Sequence, residues 1–118
     1  MPRLDIDKEI FTKAVYDIVR RIPKGRATSY GAIAKAIGYP NMSRLVGKVM
    51  ASADTSVSKI PAHRVVNSQG ILSGKDAFTY QGGMQNLLES EGISVKNDRI
   101  TNWKKVFWNP LEEIELDL

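Results

Sequence analysis

Within the first 53 residues, apolar side chains recur at helical spacing in three blocks separated by short breaks, and this pattern leaves few ways to fold. Ile6, Ile10, Phe11, Ala14, Val15, Ile18, Val19 and Ile22 surround and follow Asp7, a residue suited to an N-cap, so an amphipathic helix is expected over residues 8–22. Pro23-Lys24-Gly25 stops it. Ser29 can cap a second helix over 30–37, with Ile33, Ala34 and Ile37 inward and Gly38 just past its end. The turn Gly38-Tyr39-Pro40-Asn41 then delivers a third helix at about 42–53. Connections this short make consecutive helices neighbours in space.

The third helix carries the clearest functional hint in this half. Leu45, Val46, Val49 and Met50 fall on one side at 100° per residue, which puts Arg44, Gly47, Lys48 and Ala51 on the other. Gly47 costs a helix about 0.5–1 kcal/mol relative to Ala, a cost that makes sense where a bulky anion must approach the backbone closely. Two helices joined by a tight turn, with a basic outer face on the second, follow the helix-turn-helix plan. An ordinary solvated face with one poor helix former is the alternative. Charge favours the first reading: the net +4 includes Glu112, Glu113, Glu115 and Asp117 in the last eight residues, and without those four acids residues 1–110 hold 17 basic and 9 acidic side chains. A surplus of that size suits polyanionic partners through counterion release.

Composition excludes much chemistry. The 118 residues, enough for one domain with a modest core, contain no Cys and one His, so disulfides, thiolate nucleophiles and multi-histidine metal sites are ruled out, and no cofactor or metal is expected. No apolar run approaches the roughly 20 residues of a membrane span, and the polar start lacks a signal peptide's apolar region, so a cytoplasmic protein without a membrane partner is expected. The single histidine, His63, lies in Ile60-Pro61-Ala62-His63-Arg64-Val65-Val66, a stiff and partly buried segment that ends in the turn Asn67-Ser68-Gln69-Gly70. Ala53 to Lys59 reads as a polar loop, Ile71 to Asp76 as a short strand ending in a turn, and Phe78 to Gly83 as a glycine-bearing loop without a phosphate-loop signature. Met84, Leu87 and Leu88 mark a short helix closed by Gly92. Ile93 to Pro110 is a mixed basic and aromatic segment with Trp103, Phe107 and Trp108. No internal repeat is visible.

Several of these stretches, in this order, resemble the O6-alkylguanine-DNA alkyltransferase family. The chain is similar to it at Ser29-Tyr30-Gly31 opening the second helix, Arg44-Leu45-Val46-Gly47 on the third, Pro61-Ala62-His63-Arg64-Val65, Tyr80 to Gly83, and Leu87 to Gly92. The similarity covers about residues 10–93. In the enzymes of this family the position of Ala62 is the cysteine that accepts the alkyl group, activated through a histidine and a glutamate that correspond to His63 and Glu91. A methyl side chain cannot replace a thiolate nucleophile. A serine hydrolase built on His63 with Ser58, Ser68 or Ser73 is disfavoured, because no Gly-x-Ser-x-Gly elbow is present.

The resemblance implies an α+β, mainly α, single winged-helix-like domain over residues 1–110, without the enzymes' separate N-terminal domain, followed by an acidic and solvated tail over 111–118. It implies a helix-turn-helix in the minor groove of double-stranded DNA, with Tyr30, Arg44, Gly47, Lys48 and Ala51 at the DNA. Arg44 would fill the gap left by an extruded nucleotide, a task that suits a flat guanidinium, and Tyr30 would help rotate its phosphate. Ala62, His63, Val65, Lys75, Tyr80 and Gly83 would form the alkylguanine pocket, and His63 with Glu91 would be a relay remnant. Lys75 stands where members often carry Arg, and the usual hinge asparagine is replaced near Ala53-Asp54. The chain is most similar to the alkyltransferase-like proteins, which lack the nucleophile and share the ending seen in Phe107-Trp108-Asn109-Pro110. These bind O6-alkylguanine without repairing it and pass it to nucleotide excision repair proteins. A monomeric, non-enzymatic damage sensor is therefore expected. The alternatives are an alkyltransferase inactivated by replacement of Cys with Ala, and a winged-helix transcription regulator.

Overall fold

The computed structural model describes residues 7–53, 60–74 and 83–113. Helix α1 spans Lys8–Arg21, and Asp7 caps it, its Oδ1 accepting from the backbone N–H groups of Glu9 at 2.9 Å and Ile10 at 3.3 Å. Phe11, Val15, Val19 and the following Ile22 are buried, whereas Ile10, expected on the inward stripe, is 67 % exposed. Ile10 stands one residue before Phe11, so about 100° of helical rotation turns it away once Phe11 faces the core. Strand β1 (Thr28–Ser29) leads directly into α2 (Tyr30–Ile37), where the Ser29 hydroxyl accepts from Ala32 N–H at 3.1 Å. Gly38, at φ 100°, takes the left-handed conformation that ends α2. Helix α3 (Ser43–Ala51) follows and packs on α2 as the second half of a helix-turn-helix.

The segment from Ile60 to Val66 forms a 3₁₀ turn, Ala62–Arg64, and strand β2, Val65–Val66, which pairs in parallel with β1 in the register Thr28 to Val65 and Ser29 to Val66. This two-stranded ribbon divides the interior. Phe11, Val15, Val19, Ile33, Ala34, Val46, Val49, Met50, Ile60, Ala62 and Val65 form one cluster, together with Trp108 from the far end of the chain. Ala27, Val66, Leu72, Met84, Leu88, Ile93 and Ile100 form a second. Alternation on β2 explains the division, since Val65 and Val66 point to opposite faces.

Helix α4 (Gly83–Ser90) buries Met84 and Leu88 in the second cluster, and Gly92 follows it at φ 87°. The segment from Ile93 to Pro110 is more ordered in plan than its composition suggested. β3 (Val95–Lys96) and β4 (Arg99–Ile100) make an antiparallel hairpin, and its two turn residues, Asn97 and Asp98, both have positive φ (53° and 61°), as a type I′ connection requires. Ile71, expected in a strand, makes only a single bridge to Arg99. Helices α5 (Trp103–Val106) and α6 (Pro110–Glu113) complete the order.

The expected boundary after residue 110 falls inside α6, and Glu113, exposed as expected of the tail, is also held by hydrogen bonds. Arg26 Nη2 donates to Glu113 Oε1 at 3.0 Å and to the Phe107 carbonyl at 2.6 Å, and Arg26 Nε donates to the Val106 carbonyl at 2.9 Å. Asn109 N–H donates to Glu113 Oε2 at 2.7 Å.

Candidate nucleic-acid interface

Arg44, Lys48 and Ala51 of α3 are exposed and Gly47 is half-buried, while Val46, Val49 and Met50 are buried beneath them. Among the described residues, a Cβ built at Gly47 would meet no atom within 4 Å beyond its chain neighbours and its own helix's backbone. Internal packing therefore does not demand the glycine, which leaves the bare backbone available to an external surface.

A cavity of about 270 Å³ opens at this face, close to the lower end of the roughly 300–1,000 Å³ usual for small-ligand sites. Tyr30 of α2 and Gly47, Met50 and Ala51 of α3 line one side; Ala62, Val65, Ser73, Gly74 and Met84 line the other. Gly47 and Ala51 belong to the same helical stripe as Arg44, so the stripe leads from an exposed guanidinium into the cavity. Gly74 makes room for the tyrosine, because a Cβ there would lie 2.7 Å from the Tyr30 hydroxyl oxygen. Ala62 is 4 % exposed, held in the 3₁₀ turn by its N–H donating to the Ile60 carbonyl at 2.9 Å. Its methyl offers neither a lone pair nor a proton.

Of the residues expected here, the structure thus gathers Tyr30, Gly47, Ala51, Ala62 and Val65 around one cavity, with Arg44 and Lys48 on its exposed flank. Gly83 opens α4 beside the lining Met84. Lys75 and Tyr80 lie outside the described residues. His63 is not among the cavity-lining residues, because its ring is drawn to Glu91, with Nε2 2.8 Å from Oε2. A carboxylate accepts only, so neutral His63 carries its proton on Nε2. Its partner among the described residues is this carboxylate rather than a serine hydroxyl.

Sequence reasoning missed Met50, Ser73, Gly74 and Met84 as cavity walls, since Met50 and Met84 read equally well as core. It also missed Arg64. Arg64 Nε donates to Glu91 Oε1 at 2.9 Å, Nη2 to Oε2 at 2.6 Å, and Nη1 to the Ile22 carbonyl at 2.8 Å. A signal was available: a charged residue inside a buried Val-rich segment needs a partner. Burial by itself would raise the Glu91 carboxyl, but hydrogen bonds and charge from Arg64 and His63 outweigh it and bring the pKa down to about 2. Burial is the main reason His63 is held below its ordinary value, against the raising effect of Glu91. His63, Arg64 and Glu91 thus form a bonded group of three side chains.

The family model of the 6-O-methylguanine DNA methyltransferase DNA-binding domain matches residues 10–93. The chain belongs to this family. Within the family it is 34 % identical over 106 residues to alkyltransferase-like protein 1 of Schizosaccharomyces pombe, covering 86 % of this chain and 96 % of that protein. It is 37 % identical over 102 residues to the DNA base-flipping protein of Vibrio parahaemolyticus, covering 85 % and 97 %. The fold matches S. pombe Atl1 in complex with damaged DNA containing O6-carboxymethylguanine with a TM-score of 0.79 at 31 % identity, over 89 % of this chain and all (100 %) of that one. The match to Mycobacterium tuberculosis OGT in complex with DNA has a TM-score of 0.54 at 34 % identity, over 69 % of this chain and 48 % of that one. The α+β helix-turn-helix architecture expected from sequence is thus the family's DNA-binding fold.

Proposed function

We propose that this protein is a non-enzymatic sensor of O6-alkylguanine in double-stranded DNA: it enters the minor groove with α3, turns the damaged nucleotide into the cavity above Ala62, and hands the lesion to nucleotide excision repair proteins. The observation that carries this reading is a buried methyl group where the family's enzymes carry their alkyl acceptor, at the wall of a cavity adjoining a basic helix face.

Each side chain has a physical task in this reading. Arg44 stacks into the gap left by the extruded nucleotide, recovering part of the few kcal/mol that unstacking costs. Gly47 lets the DNA backbone approach α3 closely, and Lys48 neutralises a phosphate. Tyr30, steadied against Gly74, guides the phosphate of the rotating nucleotide. The extruded base lies along Val65, Met50 and Met84, whose apolar surfaces gain from its burial. With no thiolate at Ala62, and His63 and Arg64 both committed to Glu91, the alkyl group stays on the base, and the protein acts by holding the lesion in view of its partners. The protein works as a monomer.

The reading is tested by incubating the protein with a duplex carrying a labelled O6-methyl group, then separating protein from DNA. The label is expected to remain wholly on DNA that the protein has bound. Label on the protein would overturn the non-enzymatic assignment.

A further inference from the structure

The interface on α3 leaves unused a basic stretch in the second half of the chain. Residues 93–110 carry Lys96, Arg99, Lys104 and Lys105 against one acid, Asp98. The hairpin register concentrates this charge. Val95 pairs with Ile100, which is buried, so the alternation of the strands turns the other pair, Lys96 and Arg99, outward and directly opposite each other. Like charges in a facing cross-strand pair oppose hairpin formation, and this hairpin is only two residues long on each side. The second core cluster takes only Ile100 and Val95 from these strands, so neither charge is called for by its packing.

The same residues shape a concavity of about 470 Å³, lined by Lys96, Asn97, Arg99, Thr101, Asn102 and Trp103, with Ile100 behind them. Lys96 and Arg99 are the two cations of this lining, while the Thr101 hydroxyl is committed to the Ser94 carbonyl at 3.3 Å. The hollow's two cations can meet the oxygens of a phosphodiester, with the apolar surface of Trp103 and Ile100 beside them. It is also anchored. The Trp103 indole N–H donates to the Ser68 carbonyl at 3.1 Å, and Arg99 Nε donates to the Gln69 carbonyl at 3.2 Å. The ring lies so close to Gly70 that a Cβ there would come within 2.9 Å of it.

Its place relative to the cavity follows from one hydrogen bond. Leu72 N–H donates to the carbonyl of Asp98 in the hairpin turn at 2.8 Å, and the next two residues, Ser73 and Gly74, line the cavity at Ala62. The hairpin is thus tied by one hydrogen bond to the stretch of chain that lines the cavity, and two residues of chain span at most about 7 Å.

We infer that the hollow between the β3–β4 hairpin and Trp103 is a second phosphate-backbone contact, in which Lys96 and Arg99 neutralise phosphates flanking the lesion. This inference rests on the DNA-binding reading above. It enlarges the footprint from one helix to two separated elements, and its contribution is independent of whether the base is alkylated.

The test is the salt dependence of affinity for one O6-methylguanine duplex and its undamaged counterpart, comparing the unmodified protein with a Lys96→Gln/Arg99→Gln double variant. Both side chains are exposed, and thermal unfolding of the variant monitors the fold. Removing two phosphate contacts should lower the log–log salt slope by about 1.8 for both duplexes, so that from about 50 to 200 mM salt the unmodified protein loses about tenfold more affinity than the variant. The charge-preserving Lys96→Arg/Arg99→Lys variant should keep the original slope. An unchanged slope in the Gln variant, with lesion binding intact, would overturn the inference and leave the DNA reading standing; failure of the unmodified protein to bind either duplex would overturn both. Saturable binding of inorganic pyrophosphate that depends on Lys96 and Arg99 but does not compete with duplex would assign the hollow to a free phosphate ligand and also overturn it.

Discussion

Arg64 grips Glu91 through two nitrogens, Nε on Oε1 at 2.9 Å and Nη2 on Oε2 at 2.6 Å, while the same carboxylate also faces His63. The Glu91 and Arg64 side chains are only 9 % and 16 % exposed, so this is a largely buried pair whose charges are met by each other and by the Ile22 carbonyl. The arrangement ties the 3₁₀ turn bearing Ala62 to the end of α4 and to the end of α1. Glu91 therefore joins Arg64 and His63 beside the turn that carries Ala62.

Stability should therefore depend on pH in the acid range. Glu91 has its folded pKa brought down from an ordinary 4.5 to about 2, so its contribution is complete above 4.5 and is lost as pH falls from there toward 2. At about 1.4 kcal/mol per unit the loss amounts to about 3 kcal/mol. His63 is held below 6.5, so its contribution begins to fall as pH drops below that value. Urea unfolding from pH 8 to pH 3 should show a plateau above about 7, a gentle decline, and a steeper one below 4.5. Glu91→Gln should be less stable at neutral pH and remove the steep part. A profile of the unmodified protein that is flat below 6.5 would contradict this.

Gly70 should not tolerate a side chain. It sits at φ 78°, and a Cβ would lie 2.9 Å from the Trp103 ring. Gly70→Ala should cost about 1–3 kcal/mol, from backbone strain and displacement of the indole together. Chemical denaturation reads this directly, and a change below about 0.5 kcal/mol would show that the turn and Trp103 adjust freely.

Arg44 and Lys48 share a helix face but should fail differently. Arg44→Ala is expected to weaken lesion binding by about 1–3 kcal/mol, the scale of a lost stacking partner. Lys48→Ala should weaken binding to damaged and undamaged duplex alike and reduce the salt slope by about 0.9. Titrations of both variants at several salt concentrations separate the two roles. A lesion-selective loss in Lys48→Ala, or none in Arg44→Ala, would reverse the assignments.

Much of this was legible in the chain because local rules and tertiary packing agreed. The Asp7 and Ser29 caps, the left-handed Gly38, and the buried stripes of α1, α2 and α3 all follow from spacing that the fold does not override. What escaped depended on distance along the chain. Arg64 and Glu91 are 27 positions apart, and Trp108 enters the core by pairing with Ala27, its N–H donating to the Ala27 carbonyl at 2.7 Å. The β3–β4 hairpin was hidden by two-residue strands and an Asn-Asp turn in place of the more recognisable Asn-Gly. Ile10 failed for the opposite reason, since Phe11 took the inward position and left Ile10 about 100° around the helix from it.

Adduct size probes the wall of the cavity. Interiors are packed closely enough that replacing a thiol by a methyl changes what fits, and each added CH₂ that becomes buried contributes up to about 0.8 kcal/mol. Affinity should not fall from O6-methyl to O6-ethyl or O6-propyl, and Ala62→Trp should alter this order more than it alters binding to undamaged DNA. Competition on one duplex sequence gives the ranking, and a steep drop beyond methyl would show that the cavity closes over Ala62.

The most direct measurement of lesion recognition is the ratio of affinities for two duplexes identical except that one guanine is O6-methylated, taken at fixed salt with the unmodified protein. Recognition by extrusion into the cavity at Ala62 predicts tighter binding to the methylated duplex, with the preference lost in Arg44→Ala while a weaker, salt-sensitive affinity for both duplexes remains. Equal affinity for the two duplexes would contradict it, leaving a helix-turn-helix protein that binds DNA without reading the damage.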